Sequence, residues 1–581
     1  MGARPVAIAF WSSSLSSHPQ QVRRARPVVA AEALARLPRW PLWLLCLAYV
    51  LPGFVGRDPW TAEGVAFGVI WQLAGGHAAW LHPTLYGHPV GGGWLPYWLG
   101  AASVRLLGGW LGVVPAARLP FALLLGLSMA QTWYAAYQLA RRDAALPVQP
   151  AFAPPIAARD YARAMADGAL LSLVACLGLL ARGHEIGSAL LQLAGSSALL
   201  LAAAWVPLAR WRAAAVGALG LATLAASGAP TLALVALLAG VALLPHRALA
   251  GARLPAGLAL LLGATALGLV WHAGAQPPGG VDWRTLPHTL GIAAWFLWPA
   301  WPLALWALWR WRESHAEWHV LAPAALLALT LGDALLASSR GSVMLASLPP
   351  AALLAALALP VMRRVSLAAL DWFALMFFSL FALVVWVLWL ATLTGFPSQP
   401  AANVARLAPG YHAALRPVPT LLALLATLAW AAVVAWRAGR HRHPLWKGMV
   451  LSAGGVTLVW ALVGTLWLPA LDYASTYRSA GRRLAAVLRA LPPGGVHSAG
   501  LSLAQQALLG YWSGAPLGAP ASAPYLLQRA SWRVPTDYRV LWRGQRPGES
   551  DDAVTLLERR ARSEAALSPL GGRRAAPGAH P

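Results

Sequence analysis

Apolar segments, most of them long enough to cross a bilayer, fill much of the chain between Pro41 and Leu468. A membrane-spanning helix needs about 20 apolar residues, and somewhat fewer suffice in an irregular bundle. The pattern predicts spans over residues 42–55, 95–112, 118–139, 167–182, 188–206, 212–226, 230–244, 255–272, 289–309, 319–337, 343–361, 367–394, 419–436 and 448–468. The chain is therefore predicted to be an all-α polytopic membrane bundle.

The composition supports this class and excludes others. Of the 581 residues, 59% are hydrophobic and only 11% are charged, whereas a soluble domain carries about 25% charged residues. The formal net charge of +25 would suit a nucleic-acid partner, but the arginines lie mostly in short loops between apolar segments. Basic residues in such loops signal topology. Nucleic acid is therefore excluded as a partner, and membrane lipids are expected.

The basic loops predict the orientation of the bundle, because positive charge marks the cytoplasmic side. They lie at residues 23–39, 210–212, 246–253, 310–312, 363–364 and 437–447. All fall on one side only if one early segment does not cross. We expect segment 188–206, which has a Gly-Ser-Ser break, to be an interfacial helix on the cytoplasmic face. About thirteen spans remain, with the N-terminus inside and the C-terminus outside.

This topology assigns a side to each remaining segment. Loop 56–94, segment 141–166 and the tail after Leu468 are expected outside, at the periplasmic face. His184 and Glu185 are expected on the cytoplasmic side, far from any outer site.

Four regions follow along the chain. Residues 1–40 form a basic cytoplasmic tail, 41–468 the bundle, 469–570 a small periplasmic α/β domain and 571–581 a disordered end. In the α/β domain the pattern predicts helices and strands in alternation. The helices are Tyr477–Leu491, Ala504–Tyr511 and Asp551–Arg562, and the strands are Val496–Ala499 and Tyr538–Trp542.

An acidic residue stands directly after the first predicted span. Asp58 has Arg57 before it and Glu63 five residues later, in a helical stretch. A carboxylate at the membrane surface is suited to act as a general base in a cleft. It is equally suited to favour the N-terminus of the helix that begins near Thr61. The residues by themselves leave both interpretations open.

The loop after Asp58 resembles a known family in the order of its motifs. Trp80, Pro83, Gly87 and Pro89 precede a Leu-Pro-Tyr-Trp-Leu run that starts at Leu95 and contains Tyr97. Further motifs are Arg118-Leu119-Pro120, Asp167-Gly168 within Ala164–Leu171, the stretch from Gly220 to Gly228, Ser338-Ser339-Arg340 and Leu348-Pro349-Pro350. Together they resemble the GT-C integral-membrane glycosyltransferases, and among these the bacterial lipid A aminoarabinose transferases and the protein O-mannosyltransferases.

The resemblance implies a fold, a reaction and partners. It implies a GT-C bundle that moves a sugar from a polyprenyl-phosphate donor to a lipid, glycan or protein acceptor, such as lipid A, outside the bacterial inner membrane. It assigns the catalytic role to Asp58. Asp167, Arg340, Arg57, Glu63 and Tyr97 are implied as substrate-binding residues, with Arg340 facing the departing phosphate. The protein is expected to work as a monomer.

The chain departs from the family at one motif. Residues 91–93 are all glycine where the aminoarabinose transferases carry a metal-binding acid and a lysine. Neither cofactor nor metal site is therefore assigned, although a divalent metal ion stays an open alternative. Three scattered histidines in the same loop do not match a zinc motif.

Two other functions stay open beside the transferase. The first is a transporter or flippase of lipid-linked sugars, which inverted repeats with paired broken helices would favour. The second is a non-catalytic relative that only binds lipid. The sugar and the acceptor are not readable from the sequence.

Overall fold

The computed structural model describes Pro27, Val29, Leu34 and residues 38–560, apart from residues 92, 149–155, 273–285, 337–342, 363, 439–446 and 548. The predictions for residues 1–26, Arg340 and residues 571–581 lie outside this part of the chain.

Helices make up most of the described residues from Arg39 to Ser475. They are α1 (Arg39–Phe54), α2 (Thr61–Ala74), α3 (Leu95–Leu111), α4 (Val113–Ala140), α5 (Ala158–Ala175), α6 (Leu177–Arg182), α7 (Ser188–Trp205), α8 (Arg210–Ala226), α9 (Pro230–Leu243), α10 (Arg253–His272), α11 (Leu286–Phe296), α12 (Ala300–Arg310), α13 (Trp318–Leu336), α14 (Leu348–Ala358), α15 (Arg364–Thr394), α16 (Ser398–Leu407), α17 (Pro417–Ala438), α18 (Lys447–Leu462) and α19 (Leu468–Ser475). A two-stranded hairpin, β1 (Thr84–Leu85) and β2 (His88–Pro89), lies between α2 and α3.

The bundle has the apolar character of a multi-pass membrane protein. Among the described residues, eight helices are long and apolar enough to cross a bilayer, and a ninth span results if α11 and α12, bent by 92°, count as one. α14 is apolar all round and buried along its whole length, so it lies in the centre of the bundle. In contrast, only 11% of the apolar stretch of α17 is buried, which leaves its leucines for lipid.

Contacts between loops divide the bundle into two ends. One end, called the Asp58 face, contains α2, α19, the loop 183–187, the last residues of α1 and the first residues of α4. Arg118 of α4 donates to the carbonyls of Arg57 and Asp58, and Arg57 donates to the carbonyl of His184. The opposite face holds residues 141–148, 205–210, 244–253 and 310–318. There Val148 bonds to Pro27, and Arg247 pairs with Glu317.

The structure corrects the predicted role of segment 95–112. Arg105 of α3 donates to the carbonyls of Leu73 and Ala74 at the end of α2, and Ser103 donates to Ala116 near the start of α4. Both ends of α3 therefore stay at the Asp58 face, and the helix does not cross. It leaves Trp110 91% exposed, as suits a helix lying at the lipid interface.

Two more topology predictions were wrong because they depended on which early helix does not cross the membrane. The segment 188–206 is α7, an apolar helix whose central window is 72% buried, so it is a span of the bundle and not an interfacial helix. Residues 141–148 lie at the opposite face beside Pro27, not outside with Asp58. The helix that does not cross is α3 and not α7. This places segment 141–166 at the other end of the bundle and leaves the later basic loops on the side where they were predicted.

A small α/β domain follows α19. It contains α20 (Arg478–Arg489), β3 (Val496–Ala499), α21 (Leu503–Ser513), β4 (Tyr525–Arg529), β5 (Tyr538–Arg546) and β6 (Glu549–Arg559). The sheet order is β3-β4-β6-β5, with β3 and β4 parallel and the other pairs antiparallel. The predicted final helix Asp551–Arg562 is wrong, because this segment is β6 in the interior of the sheet.

The α/β domain packs closely onto α2. Gly64 and Gly68 face Ala504 and Ala507 of α21, and a methyl group added at Gly68 would lie 2.5 Å from the Ala507 side chain. Glycines spaced by four residues let two helices approach closely. The helix after Asp58 thus joins the bundle to the α/β domain.

Candidate active site

The Asp58 carboxylate lies at the junction of the bundle and the α/β domain. α1 ends at Phe54, and Gly56, with φ of +82°, turns the chain toward α2. A positive φ is easily adopted only by glycine. The turn leaves the Asp58 carboxylate between the end of α1 and the start of α20, where the residue is 4% exposed.

Both carboxylate oxygens of Asp58 have partners from beyond the bundle. Oδ2 accepts a hydrogen bond of 2.8 Å from the Thr476 hydroxyl, and Oδ1 pairs with the Arg478 guanidinium. The Asp58 backbone N–H donates to Asp472 Oδ1 at 2.8 Å, and the Trp60 indole donates to the same oxygen at 2.9 Å. The C-terminal segment, to which no catalytic residue was assigned, therefore supplies the surroundings of Asp58.

Burial and the nearby Asp472 raise the pKa of Asp58, and the Thr476 hydrogen bond and the charges of Arg478 and Arg118 only partly offset this. Both raising effects penalise the ionised form. A carboxyl group with a raised pKa is a better proton acceptor than an ordinary surface aspartate.

A buried ion cluster fixes the backbone that carries Asp58. Glu63 pairs with Arg118 and, at 2.8 Å, with Arg57, and Glu63 and Arg118 are 1% and 2% exposed. Burial would raise the pKa of Glu63, but the charges of Arg118 and Arg57 hold it below the ordinary value. Arg118 also donates to the carbonyls of Arg57 and Asp58. Charges buried this deeply are stable only when paired, so the cluster acts as one unit.

The loop 183–187 joins the same cluster, contrary to the expectation that His184 and Glu185 lie across the bilayer. Arg57 donates to the His184 carbonyl at 2.9 Å, and the Ile186 N–H donates to Glu63 Oε2 at 3.3 Å. The His184 ring packs against Trp460 of α18, with 4.5 Å between ring centroids. The prediction failed because it followed from the wrong choice of non-crossing helix.

A cavity of about 350 Å³ opens beside this cluster. One wall is polar and carries Arg57, Glu63 and Glu185. The other is apolar and comes from α18 and the π-helical turn Val463–Trp467, with Trp460, Val463 and Gly464 among its residues. A charged wall facing an apolar wall suits a ligand with a polar head and a hydrocarbon chain.

Glu185 is the acid of this cavity that sequence reasoning missed. Its carboxylate is 28% exposed and pairs with Arg182 at 3.0 Å. Burial and the neighbouring Glu63 raise the pKa of Glu185, although Arg182 and Arg57 partly offset the effect. The adjacent His184 and Glu185 look catalytic by themselves, and they were set aside only because the predicted topology placed them on the other side of the membrane.

The other predicted site residues do not gather around Asp58. Asp167 is the tenth residue of α5 and not at the outer start of a helix; it accepts a 2.8 Å hydrogen bond from Trp133. Trp133 is fifteen residues along α4 from Arg118, a distance of about 22 Å along the helix axis. The Tyr97 hydroxyl donates to the Gly91 carbonyl. Arg340 lies outside the described residues.

The glycine run 91–93 has a packing role at one position. Gly93 has φ of +72°, and a Cβ atom there would overlap the Ala226 carbonyl and the backbone of Ser227 and Gly228. Only glycine allows the loop to approach the α8–α9 turn this closely. Among the residues that the structure describes, no three His, Cys, Asp or Glu side chains form a group that could hold a metal ion.

Two solved structures share the architecture of this chain. ArnT from Cupriavidus metallidurans bound to undecaprenyl phosphate is 12% identical with a TM-score of 0.56, and the match covers 90% of this chain and 98% of that one. ArnT in the apo state is 13% identical with a TM-score of 0.56, over 89% and 98% of the two chains. No family model matches the chain, and no curated protein matches it.

The likeness covers the bundle and the α/β domain together, so the protein has the GT-C fold of the integral-membrane glycosyltransferases. The predicted fold class is confirmed. At this identity the likeness shows the fold alone, and the chemistry has to be argued from the residues of this chain.

Proposed function

We propose that this protein is a membrane glycosyltransferase that moves a sugar from a polyprenyl-phosphate donor to an acceptor at the Asp58 face. One observation carries the proposal. A buried aspartate with a raised pKa lies next to a partly exposed guanidinium, and its chain neighbours Arg57 and Trp60 line a cavity with one charged and one apolar wall. ArnT with undecaprenyl phosphate has the same fold, which supports a lipid phosphate as donor.

Asp58 is the proposed general base. An acceptor hydroxyl gives its proton to the carboxylate as its oxygen bonds to the anomeric carbon of the sugar. The bond from that carbon to the phosphate oxygen breaks, and the polyprenyl phosphate leaves with the electron pair. The Thr476 hydroxyl, which donates to Asp58 Oδ2, occupies the position that an acceptor hydroxyl would take, so the acceptor displaces Thr476 when it binds.

Arg478 is the proposed cation for the leaving phosphate. A guanidinium has five N–H donors in a planar fork. Arg57 uses its donors on Glu63 and on the carbonyls of Gly53 and His184, so it serves to hold the loop. Arg478 is 44% exposed and pairs with Asp58. Its outward edge can meet a phosphate, which guanidinium groups bind in a bidentate manner. Arg340 stays a proposed second contact.

Glu185 and the 350 Å³ cavity are the proposed place for the polar head of one lipid substrate. The hydrocarbon chain would lie against Trp460 and the π-helical turn. Such turns in α-helices are frequent at functional sites. The acceptor is proposed to be a lipid, a glycan or a protein outside the inner membrane, with Asp167 and Tyr97 acting only indirectly.

The test is mass spectrometry of lipid A, envelope glycans and proteins from cells with the gene, without it and with Asp58→Asn. We expect a sugar modification that requires the gene and is lost in Asp58→Asn at an unchanged membrane level. Asp537→Asn is the matched control, because Asp537 is an exposed acid of the α/β domain. Full modification with Asp58→Asn would remove Asp58 from the mechanism.

The same experiment, together with a measurement of which leaflet holds the lipid-linked sugar, separates the two alternatives. A flippase would change which leaflet holds the lipid-linked sugar without adding sugar to any acceptor. A lipid-binding relative without catalysis would leave all three fractions unchanged on deletion of the gene.

A further inference from the structure

A second polar cavity lies at the opposite face, away from Asp58. Its volume is about 470 Å³. Three loops form it, namely those after α4, α7 and α9, together with the start of α13. The charged and aromatic residues of its lining are Arg141, Arg142, Asp143, His246, Arg247, Glu317, Trp318 and His319. The transferase mechanism uses none of them.

Arg142 is the feature of this cavity that calls for a ligand. Its Nε and Nη2 atoms are buried and have no hydrogen-bond partner, and its guanidinium lies 6.0 Å from the centre of the Trp318 ring. Burial lowers the pKa of Arg142 to about 10, so the group is still charged at neutral pH. The residue is half-buried, and buried N–H groups without an acceptor are costly, so an anion in the cavity would supply the missing acceptor.

Of the three arginines that line the cavity, Arg142 is the most available to bind an anion, because the other two are engaged by neighbouring side chains. Arg247 is engaged by Glu317 at 2.8 Å. The Arg141 guanidinium turns to Gln138 and lies 5.5 Å from the Tyr137 ring. Asp143 is exposed, and it is the other acid of the lining beside Glu317. Three arginines against two acids give the lining a positive balance, with one guanidinium unsatisfied.

An apolar cavity of about 180 Å³ adjoins this polar one. It lies between α7, α8, α9, α10 and α13, and both cavities are lined by Trp318. Arg210 lines the apolar cavity and bonds to the Gly251 carbonyl at the opposite face. A cationic pocket beside an apolar one between membrane helices matches the two parts of a phospholipid. Basic pockets on the cytoplasmic side are known to take anionic headgroups.

We propose that these adjoining cavities bind an anionic phospholipid, with its phosphate on Arg142 and an acyl chain between α8, α9 and α10. The ligand chemistry is a phosphate anion, and the adjoining apolar cavity selects a lipid over a soluble phosphate. This site is separate from the proposed donor and acceptor site at the Asp58 face, so the lipid-binding proposal can be tested independently of the proposed function.

The test uses the full chain purified in neutral detergent. Phosphatidylglycerol, zwitterionic phosphatidylcholine and soluble glycerol 3-phosphate are added in separate arms, and binding is followed by native mass spectrometry and by the unfolding temperature. We expect phosphatidylglycerol to bind and to raise the unfolding temperature. Arg142→Gln should weaken its binding about tenfold or more, since hydrogen bonds to charged groups are among the stronger ones.

The matched control is Arg310→Gln, an exposed arginine of the opposite face outside the cavity lining. It should leave phosphatidylglycerol binding unchanged. Without lipid, Arg142→Gln should unfold at the same temperature as the wild type or higher, because it removes a half-buried charge whose buried N–H groups have no acceptor. A clear loss of stability there would show that Arg142 is a structural residue and would overturn the proposal.

Three other results would also overturn it. They are equal phosphatidylglycerol binding by Arg142→Gln and wild type, equal weakening by Arg310→Gln, and equal stabilisation by phosphatidylcholine. If glycerol 3-phosphate gives the same Arg142-dependent effect as the lipid, the site binds a soluble phosphate and the assignment to a lipid is wrong.

Discussion

The guanidinium of Arg478 pairs with the carboxylate of Asp58, although the two residues are 420 positions apart in the chain. Arg478 is the first residue of α20, and Asp58 follows the first helix of the bundle. The pair therefore spans the junction between the two parts of the protein. Arg478 also lies over the Trp512 ring, 4.6 Å from its centre, which fixes its direction toward Asp58.

Arg478→Gln should shift the pH dependence of transfer upward. Arg478 lowers the pKa of Asp58, so its loss raises that pKa further and reduces the ionised base at a given pH. An opposite charge within a few ångströms changes an aspartate pKa by about one unit or more, and the rising limb of kcat/KM should move to higher pH by that amount. The measurement is transfer activity from pH 5 to 9, with exposed Arg482→Gln of the same helix as control. An unchanged limb with a lower rate would assign Arg478 to phosphate binding alone.

Glu63→Gln should destabilise the whole bundle. It leaves Arg57 and Arg118 buried without their carboxylate, and breaking a buried ion pair costs about 3–5 kcal/mol. Glu558→Gln gives the contrast, because Glu558 pairs with Arg539 at a surface where the arginine is 63% exposed and such pairs contribute less than about 1 kcal/mol. The measurement is the unfolding temperature in detergent. Equal small losses would mean that Glu63 is not held as an ion in the folded protein.

Gly93→Ala should be far more harmful than Gly91→Ala. An added Cβ at Gly93 would overlap the backbone of the α8–α9 turn at a positive φ, whereas at Gly91 it would meet nothing within 4 Å. Left-handed backbone alone costs an ordinary residue about 1–2 kcal/mol, and the overlap adds to this. Membrane level and unfolding temperature of the two variants measure the difference. If both behave like the wild type, the loop does not pack on the turn.

Single cysteines should report the corrected topology. Arg182→Cys lies at the Asp58 face and Arg247→Cys at the opposite face, and both arginines are largely exposed, at 47% and 64%. With Cys46 and Cys176 replaced by serine, a membrane-impermeant maleimide added to spheroplasts should label position 182 but not position 247. Permeabilisation should then make position 247 reactive. Labelling of both positions from the same side would refute the division into two faces.

The sequence was sufficient for the class of the fold and for the position of Asp58 after the first span, because apolar length and loop charge are local signals. It was insufficient for the choice between α3 and α7 as the helix that does not cross. Both are apolar segments of similar length, and only tertiary contacts, such as Arg105 with the end of α2, decide between them. One wrong choice moved His184 and Glu185 to the wrong side.

The α/β domain shows a second limit of sequence reasoning. β3 was predicted with its observed bounds, Val496–Ala499, and α20 and α21 nearly so. β6 was taken for a helix because its residues 554–557, Val-Thr-Leu-Leu, are all buried, and a strand buried on both faces lacks the alternation of apolar and polar residues that marks a strand in the sequence. The partners of Asp58 were missed for a different reason, because no local pattern links residue 58 to residues 476 and 478.

The run from α18 through the π-helical turn into α19 continues without a gap to Ser475, one residue before Thr476. A shortened protein that stopped at Ser475 would keep every helix from α1 to α19 and would still lose both side-chain partners of Asp58. The C-terminal hundred residues are thus not a detachable accessory. Any chimera with a protein of the same fold has to exchange the first loop and the C-terminal domain together.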